Sequence, residues 1–145
     1  MTDRQEALPR ERGQVLMLMP AAVLVVIILG AIAVDLSVVY LAERDLSAAA
    51  AAAANDAVTY GFDEEAYRRG EGYVIDPRRV DEAVTRSLQR RDIDARPSVR
   101  IDGDEVEVTL AGTAEYVFAK AIPGVGDGTD LTVVGSARTE EDVLP

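Results

Sequence analysis

The chain has 145 residues and a net charge of −11, with 15 basic and 26 acidic side chains and no cysteine, histidine or tryptophan. A thiol nucleophile, a Ser-His-Asp triad and a zinc site built from His and Cys are therefore excluded, and no disulfide can stabilise the fold. The strong negative charge disfavours binding to nucleic acid and to anionic lipid surfaces.

The first predicted element is a membrane-spanning helix over residues 15–34. This run holds 20 residues without a charged side chain. At 1.5 Å per residue its length is about 30 Å, close to the thickness of a bilayer's hydrocarbon core. Three arginines precede it within residues 1–14, whereas only Arg44 follows within a comparable distance. The positive-inside rule therefore predicts a single-pass protein of the cell membrane, with residues 1–14 cytoplasmic and the C-terminal part extracytoplasmic.

The same run could instead serve as a secretory signal peptide. Residues 1–33 would then be removed by cleavage between Ala33 and Val34, because Ala31 and Ala33 form the small-x-small pattern of a cleavage site. The product would be a secreted structural or adhesive protein. The run is longer than the ~7–15 residues of an ordinary signal-peptide core, which favours the membrane span. Both interpretations place the C-terminal part outside the cytoplasm.

An alanine-rich helical extension is predicted over residues 35–58, directly after the span. Seven consecutive alanines end at Ala54, and alanine is the best intrinsic helix former. We therefore expect one helix from about Val15 to about Val58, with its outer half outside the membrane. A low-complexity linker is the alternative interpretation. Small side chains also let helices approach each other closely. The candidate positions for such packing are Gly30, Ala31 and Ala50.

Asp35 is the first charged residue after the span, and two interpretations are open for it. It lies about one membrane thickness along the helix from Gln14, so it can simply mark the outer end of the span. It could also pair with a cationic group on a neighbouring helix.

A connecting segment over residues 59–76 precedes a small α+β domain over residues 77–145. Asp76 is expected to cap a helix that begins at Pro77, where the missing N–H costs nothing, and ends near Arg91. The predicted apolar face of this helix consists of Val80, Ala83, Val84, Ser87 and Leu88.

The rest of the domain is predicted to form a small antiparallel sheet. Alternating apolar and polar residues indicate two strands of a hairpin, over 99–101 and 106–110, around a turn at 102–104. A short helix is expected over 116–122 and a third strand over 131–137. The predicted fold class is therefore α+β, with a long N-terminal transmembrane helix that continues outside the membrane and then a helix packed on a roughly three-stranded antiparallel sheet.

Two acidic segments could be taken for functional sites. Asp127 and Asp130 lie in a glycine-rich loop that could bind Ca²⁺ weakly, although a surface turn accounts for the same residues. Asp102, Asp104 and Glu105 cluster at the hairpin tip, where turn chemistry explains the first two. An envelope enzyme would need a pocket in which carboxylates converge. We therefore predict a protein that is not an enzyme and has no catalytic residue, cofactor or metal.

An ordered series of residues surrounds the apolar run, over about residues 11–58. The series comprises Glu11-Arg12-Gly13-Gln14, the span, Val34-Asp35-Leu36, Tyr40-Leu41-Ala42, Arg44, Leu46 and, after the alanines, Asn55-Asp56-Ala57. It resembles the N-terminal region of the TadE/TadG-like proteins of the Tad (tight adherence, Flp-type) pilus system. The positions that carry this resemblance along the helix are Asp35, Tyr40, Arg44 and Leu46.

The resemblance implies a bitopic, pilin-like accessory subunit, of minor pilin or pseudopilin type. Such a protein works with other pilin-like subunits and membrane components of a Tad-type assembly machine, and it can also associate with copies of itself. Gly13 and Gln14 would flank a prepilin-peptidase cut, but Leu18 stands where processed pilin-like proteins usually carry a glutamate. This departure weakens the case for cleavage there, and it favours an anchored accessory subunit over a filament-forming pilin.

Overall fold

The computed structural model describes residues 11–70, 72 and 74–139, with side chains from Leu18 onwards. The chain forms a long N-terminal helix, two shorter helices and a three-stranded antiparallel sheet. The predicted long apolar helix and the small domain of helix and three-stranded sheet are thereby confirmed. The elements are α1 (Glu11–Tyr60), α2 (Glu64–Arg68), α3 (Pro77–Arg90), β1 (Arg96–Asp102), β2 (Glu105–Glu115), a 3₁₀ helix (Ala119–Ala121) and β3 (Gly128–Arg138).

Helix α1 is a single helix of 50 residues, or about 75 Å at the standard rise. Its alanine tract continues the helix instead of forming a linker, as expected from the helix propensity of alanine. The helix ends where the Gly61 N–H donates to the Ala57 carbonyl at 2.8 Å. A Cβ atom at Gly61 would overlap both this carbonyl and the side chain of Val80, so only glycine lets α3 approach here.

The C-terminal half of α1, residues 35–60, lies along β2 and β3 and covers one face of the sheet. Helix α3 packs mainly against α1 and touches the sheet at β1. The alanine-rich helix and the sheet therefore share one hydrophobic core, and we call this folded unit, residues 35–139, the head. The core consists of Leu46, Ala49, Ala50, Ala53, Ala54, Ala57, Val80, Val84, Leu88, Val106, Val108 and Leu110.

Glycine and alanine bring α1 and β3 into backbone contact at Gly135. A Cβ atom there would overlap the carbonyl of Ala50 and the amide of Ala51. Gly135 is buried, and Ala50 has no exposed surface. The alanine face of α1 therefore packs against the sheet of its own chain.

Helix α3 agrees with the sequence prediction in its bounds and in its buried face. Asp76 is the N-cap, its side chain accepts a hydrogen bond from the Arg78 N–H, and Pro77 occupies the first helical position. Arg91 is the C-cap. The buried residues are Val80, Ala83, Val84, Ser87 and Leu88.

The sheet is an antiparallel meander in the order β1-β2-β3. Asp102 pairs with Glu105, so the turn of the first hairpin contains only Gly103 and Asp104. It is one residue shorter than predicted, because positive φ at Gly103 (62°) permits a tight turn.

The connection between β2 and β3 holds only a 3₁₀ helix, where a short helix over 116–122 was expected. Pro123 follows closely and cannot continue a helix. The amides that would begin the expected helix instead donate to a side chain of α1, as described next.

Candidate functional site

The N-terminal half of α1 exposes apolar side chains on all sides of the helix, from Leu18 to Val34. Between Val23 and Leu29 each residue is at least half exposed, and seven consecutive helical residues point all round the axis because a turn takes 3.6 residues. Among the described residues, α1 is the only helix long and apolar enough to cross a membrane. Water is an unfavourable environment for such a surface, and hydrocarbon is a favourable one.

The run of uncharged residues in α1 ends at Asp35, which is only 7 % exposed. One carboxylate oxygen, Oδ1, accepts hydrogen bonds from the N–H groups of Val117 at 2.7 Å and Phe118 at 3.0 Å. The other, Oδ2, accepts one from the Ala119 N–H at 2.7 Å. We call this arrangement the Asp35 junction. It ties α1 to the β2–β3 connection, a segment more than 80 residues later in the chain.

The electrostatics of the junction favour an ionised carboxylate. The N–H of Phe118 has the largest influence on the pKa of Asp35 and lowers it. The amides of Ala119 and Val117 and the charge of Lys120 act in the same direction, whereas burial raises the pKa. The pKa of Asp35 is therefore below its ordinary value, and at neutral pH the group accepts these bonds as an anion.

The Asp35 junction lies at the end of the head that is next to the apolar segment of α1. Gly112 in β2 lies against the side chain of Leu46. From Leu46 back to Asp35, α1 covers about 17 Å, and from Gly112 on to Val117 extended chain covers about the same distance. Strand β2 therefore runs along α1 toward the apolar segment, and the β2–β3 connection forms the part of the head next to that segment.

The β2–β3 connection carries several exposed apolar side chains. Its closing hydrogen bond runs from the Tyr116 N–H to the Asp127 carbonyl at 2.9 Å. We call residues 116–127 the junction loop. Lys120, the only lysine in the sequence, lies at its centre. The exposed apolar residues of the loop are Val117 (46 %), Phe118 (50 %), Ile122 (56 %) and Val125 (41 %).

The predicted helix-packing and family-like positions fall into two groups. Leu46 and Ala50 are buried in the core of the head, so they contact the sheet of their own chain. Gly30, Tyr40 and Arg44 are exposed, and Ala31 is half-buried. This second group remains available for contacts with other helices.

The two candidate cleavage sites both lie within α1. Gly13 and Gln14 belong to the first turn of this helix, before the part of the chain for which the structure describes side chains. Ala33 and Val34 are exposed, and the Ala33 carbonyl accepts a hydrogen bond from the Ser37 hydroxyl at 2.7 Å. The peptide bond between Ala33 and Val34 therefore lies within the helix.

The two acidic segments have ordinary structural contacts. Asp130 lies in β3 and accepts a hydrogen bond from the Thr113 hydroxyl at 3.3 Å. At the hairpin tip, Arg138 pairs with Glu105 at 2.8 Å and with Asp104 at 3.6 Å. Within the described part of the chain, no group of three or more acidic, His or Cys residues could hold a metal ion.

Sequence reasoning identified Asp35 but not its partners. The prediction offered the end of the span or a cation on another helix, and the observed partners are backbone amides of the same chain. The local sequence offers one signal, an aspartate at the end of an apolar run. Nothing in that signal points to the N–H groups of Val117 to Ala119. Comparisons with protein-family models, curated proteins and solved structures find no match to this chain.

Proposed function

We propose that this protein is a single-pass, membrane-anchored accessory subunit of pilin-like type that takes part in Tad-type pilus assembly or its secretion machine. Residues 15–34 span the cell membrane, residues 1–14 are cytoplasmic, and the head is extracytoplasmic. The observation that carries the anchor is the all-round apolar exposure of α1 up to Val34, followed at once by the Asp35 junction.

The continuity of α1 supports a role in positioning the head. One helix passes from the apolar segment into the core of the head, where Leu46 and Ala50 pack against the sheet. The junction adds a second attachment at the point where the apolar segment ends. A head attached in this way keeps a fixed orientation relative to the apolar segment of α1.

The pilus part of the proposal rests on the resemblance of residues 11–58 to TadE/TadG-like proteins. Two exposed members of that series, Tyr40 and Arg44, lie on α1 just beyond the apolar segment, with Tyr40 65 % exposed. Together with Gly30, whose surroundings are open, they form the surface offered to other pilin-like helices.

The topology is tested by cysteine labelling, because the natural chain has no cysteine. Thr85→Cys places a thiol on the exposed side of α3, and Gln5→Cys places one in the N-terminal segment. In spheroplasts a membrane-impermeant maleimide should label the Thr85→Cys variant at once and, in protein that retains residues 1–13, the Gln5→Cys variant only after lysis. Equal labelling of both variants before lysis would contradict a cytoplasmic N-terminus.

Intact mass of the protein recovered from cells separates anchoring from secretion. The proposal expects a species that retains residues 15–34 in the membrane fraction, whether or not residues 1–13 have been removed. A mature protein that begins at Val34 would instead establish the secreted alternative.

The assembly role is tested by deleting the gene in a host with Tad-type pili and counting surface pili by electron microscopy. We expect pili to be lost and then restored by the natural chain. A control variant in which a cleavable signal peptide replaces residues 1–33 should export the head without restoring pili. Normal piliation of the deletion strain would refute the assembly role while leaving the membrane anchor intact.

A further inference from the structure

The junction loop, residues 116–127, has apolar side chains that the described residues cover only in part. Val117, Phe118, Ile122 and Val125 are each more than two fifths exposed. These four side chains lie within nine consecutive residues, and we call them the patch; several exposed apolar side chains close together in one segment indicate an interaction site, whereas single exposures do not. They lie in one connection at one end of the sheet.

The Asp35 junction fixes the position of this patch along the axis of α1. Hydrogen bonds of 2.7 to 3.0 Å join Asp35 to the first part of the loop. Asp35 itself directly follows the apolar run that ends at Val34. The loop is therefore level with the end of that run, at the boundary between the apolar segment and the head.

The charge of the loop also differs from that of the rest of the chain. The whole chain has a net charge of −11, whereas residues 116–127 carry one basic and one acidic side chain, Lys120 and Asp127. The head as a whole is repelled by an anionic surface, but this loop is neutral. A lysine among apolar side chains suits the lipid interface, where the apolar groups enter the acyl region and the ammonium group stays near phosphates.

We propose that the junction loop is a second membrane contact, in which Phe118 and Ile122 insert into the outer interface of the bilayer that α1 spans. The inference rests on the proposed membrane anchor and extends it. The Asp35 junction holds the loop to the helix, and the loop in turn restrains the tilt of the head. The occupant of the patch is lipid.

The test uses the absence of tryptophan from the natural chain, since each substitution then creates a single fluorescent reporter. The full-length variants Phe118→Trp, Ile122→Trp, Leu24→Trp and Tyr67→Trp are reconstituted in phosphatidylcholine nanodiscs, with and without bromine on the acyl chains. Leu24 lies in the apolar segment, and Tyr67, 61 % exposed on α2, serves as the matched exposed aromatic control.

Fluorescence of Phe118→Trp and Ile122→Trp should be quenched at least about twofold by shallow bromines, because interfacial side chains lie about 5–10 Å inside the headgroup boundary. The Leu24→Trp variant should be quenched best by deeper bromines, and Tyr67→Trp should not be quenched. Two loop probes are used so that a local disturbance at one of them does not decide the result.

The outcomes separate the two proposals. Quenching of the Leu24 probe without either loop probe would overturn the loop contact and leave the anchor standing. Absence of quenching at the Leu24 probe would overturn the anchor and the loop contact together. Loop probes whose emission shifts to shorter wavelength without quenching would show that protein covers the patch, for example a second copy, and would also overturn the lipid contact.

Discussion

At the scale of single residues, Asp35 is buried, and both oxygens of its carboxylate accept hydrogen bonds. A buried charge is costly unless hydrogen bonds replace the lost water. Three backbone N–H groups do so here, and bonds of this kind to a charged acceptor are stronger than neutral ones. The short aspartate side chain keeps the β2–β3 connection close to α1.

The contribution of the Asp35 junction to stability should depend on pH. Because the pKa of Asp35 is lowered in the folded protein, its ionisation stabilises the fold above the unfolded-state pKa of about 3.9. That contribution is lost as the pH falls through the lower folded-state pKa. The Asp35→Asn variant should therefore unfold at a lower temperature than the natural chain at neutral pH, and the difference should shrink below about pH 4.

Thermal unfolding of the full chain in nanodiscs, followed by circular dichroism, measures this difference. Asp63, whose pKa is also lowered, is present in both proteins, so its effect cancels. Asp45→Asn changes an exposed aspartate of the same helix and should leave the midpoint unchanged. A midpoint difference that stays constant down to acidic pH would argue against an ionised Asp35 as the source of stability.

At the scale of elements, the contact between α1 and β3 depends on small residues. Alanines on the helix and Gly135 on the strand let the two backbones touch. The alanine tract thus has two physical roles, since it favours the helical conformation and forms a smooth surface on which the sheet rests. This use inside the molecule accounts for Ala50, which the sequence offered as a contact for other helices.

Gly135→Ala should destabilise the head by about 1–3 kcal/mol, because the added methyl group forces α1 and β3 apart. Gly112→Ala is the matched control, since a Cβ atom there would meet the Leu46 side chain at an ordinary contact distance of 3.5 Å. It should be neutral or slightly stabilising, by at most about 1 kcal/mol. Urea unfolding of the two variants beside the natural chain gives both values, and similar values for the two would contradict the close packing at Gly135.

At the scale of the whole molecule, one helix is shared between the apolar segment and the head. The sheet has only three strands, and the C-terminal half of α1 covers its apolar face. On that face Val106, Val108 and Leu110 are fully buried. Without this cover the apolar face of the sheet would be exposed to water, which is unfavourable. The head therefore has no complete core without residues 35–60.

A fragment of residues 35–145 should fold in solution and unfold cooperatively, because it keeps the whole core and the Asp35 junction. A fragment of residues 62–145, which lacks α1, should show no cooperative transition. Circular dichroism on heating distinguishes the two cases. Cooperative unfolding of the shorter fragment would mean that α3 and the sheet suffice as a core.

Several parts of the fold are local and were predictable from the sequence. Asp76 and Pro77 set the start of α3 through capping and the fixed φ of proline, and the apolar spacing identified its buried face. The alternation in β1 and β2 predicted the hairpin. The short helix predicted after β2 was wrong in type and extent, because the amides of Val117 and Phe118 bond to a residue far away in the sequence.

Composition and short-range periodicity were sufficient to predict the long apolar helix, the class of the small domain and the exclusion of thiol and histidine chemistry. The folded structure was needed to show that the alanine tract belongs to the core of the head and that Asp35 binds the junction loop. The reason is that both facts depend on contacts between segments some 80 residues apart, at Ala50 and Gly135 and at Asp35 and Val117. Local patterns constrain the conformation of each segment, whereas packing and backbone hydrogen bonding select its partner.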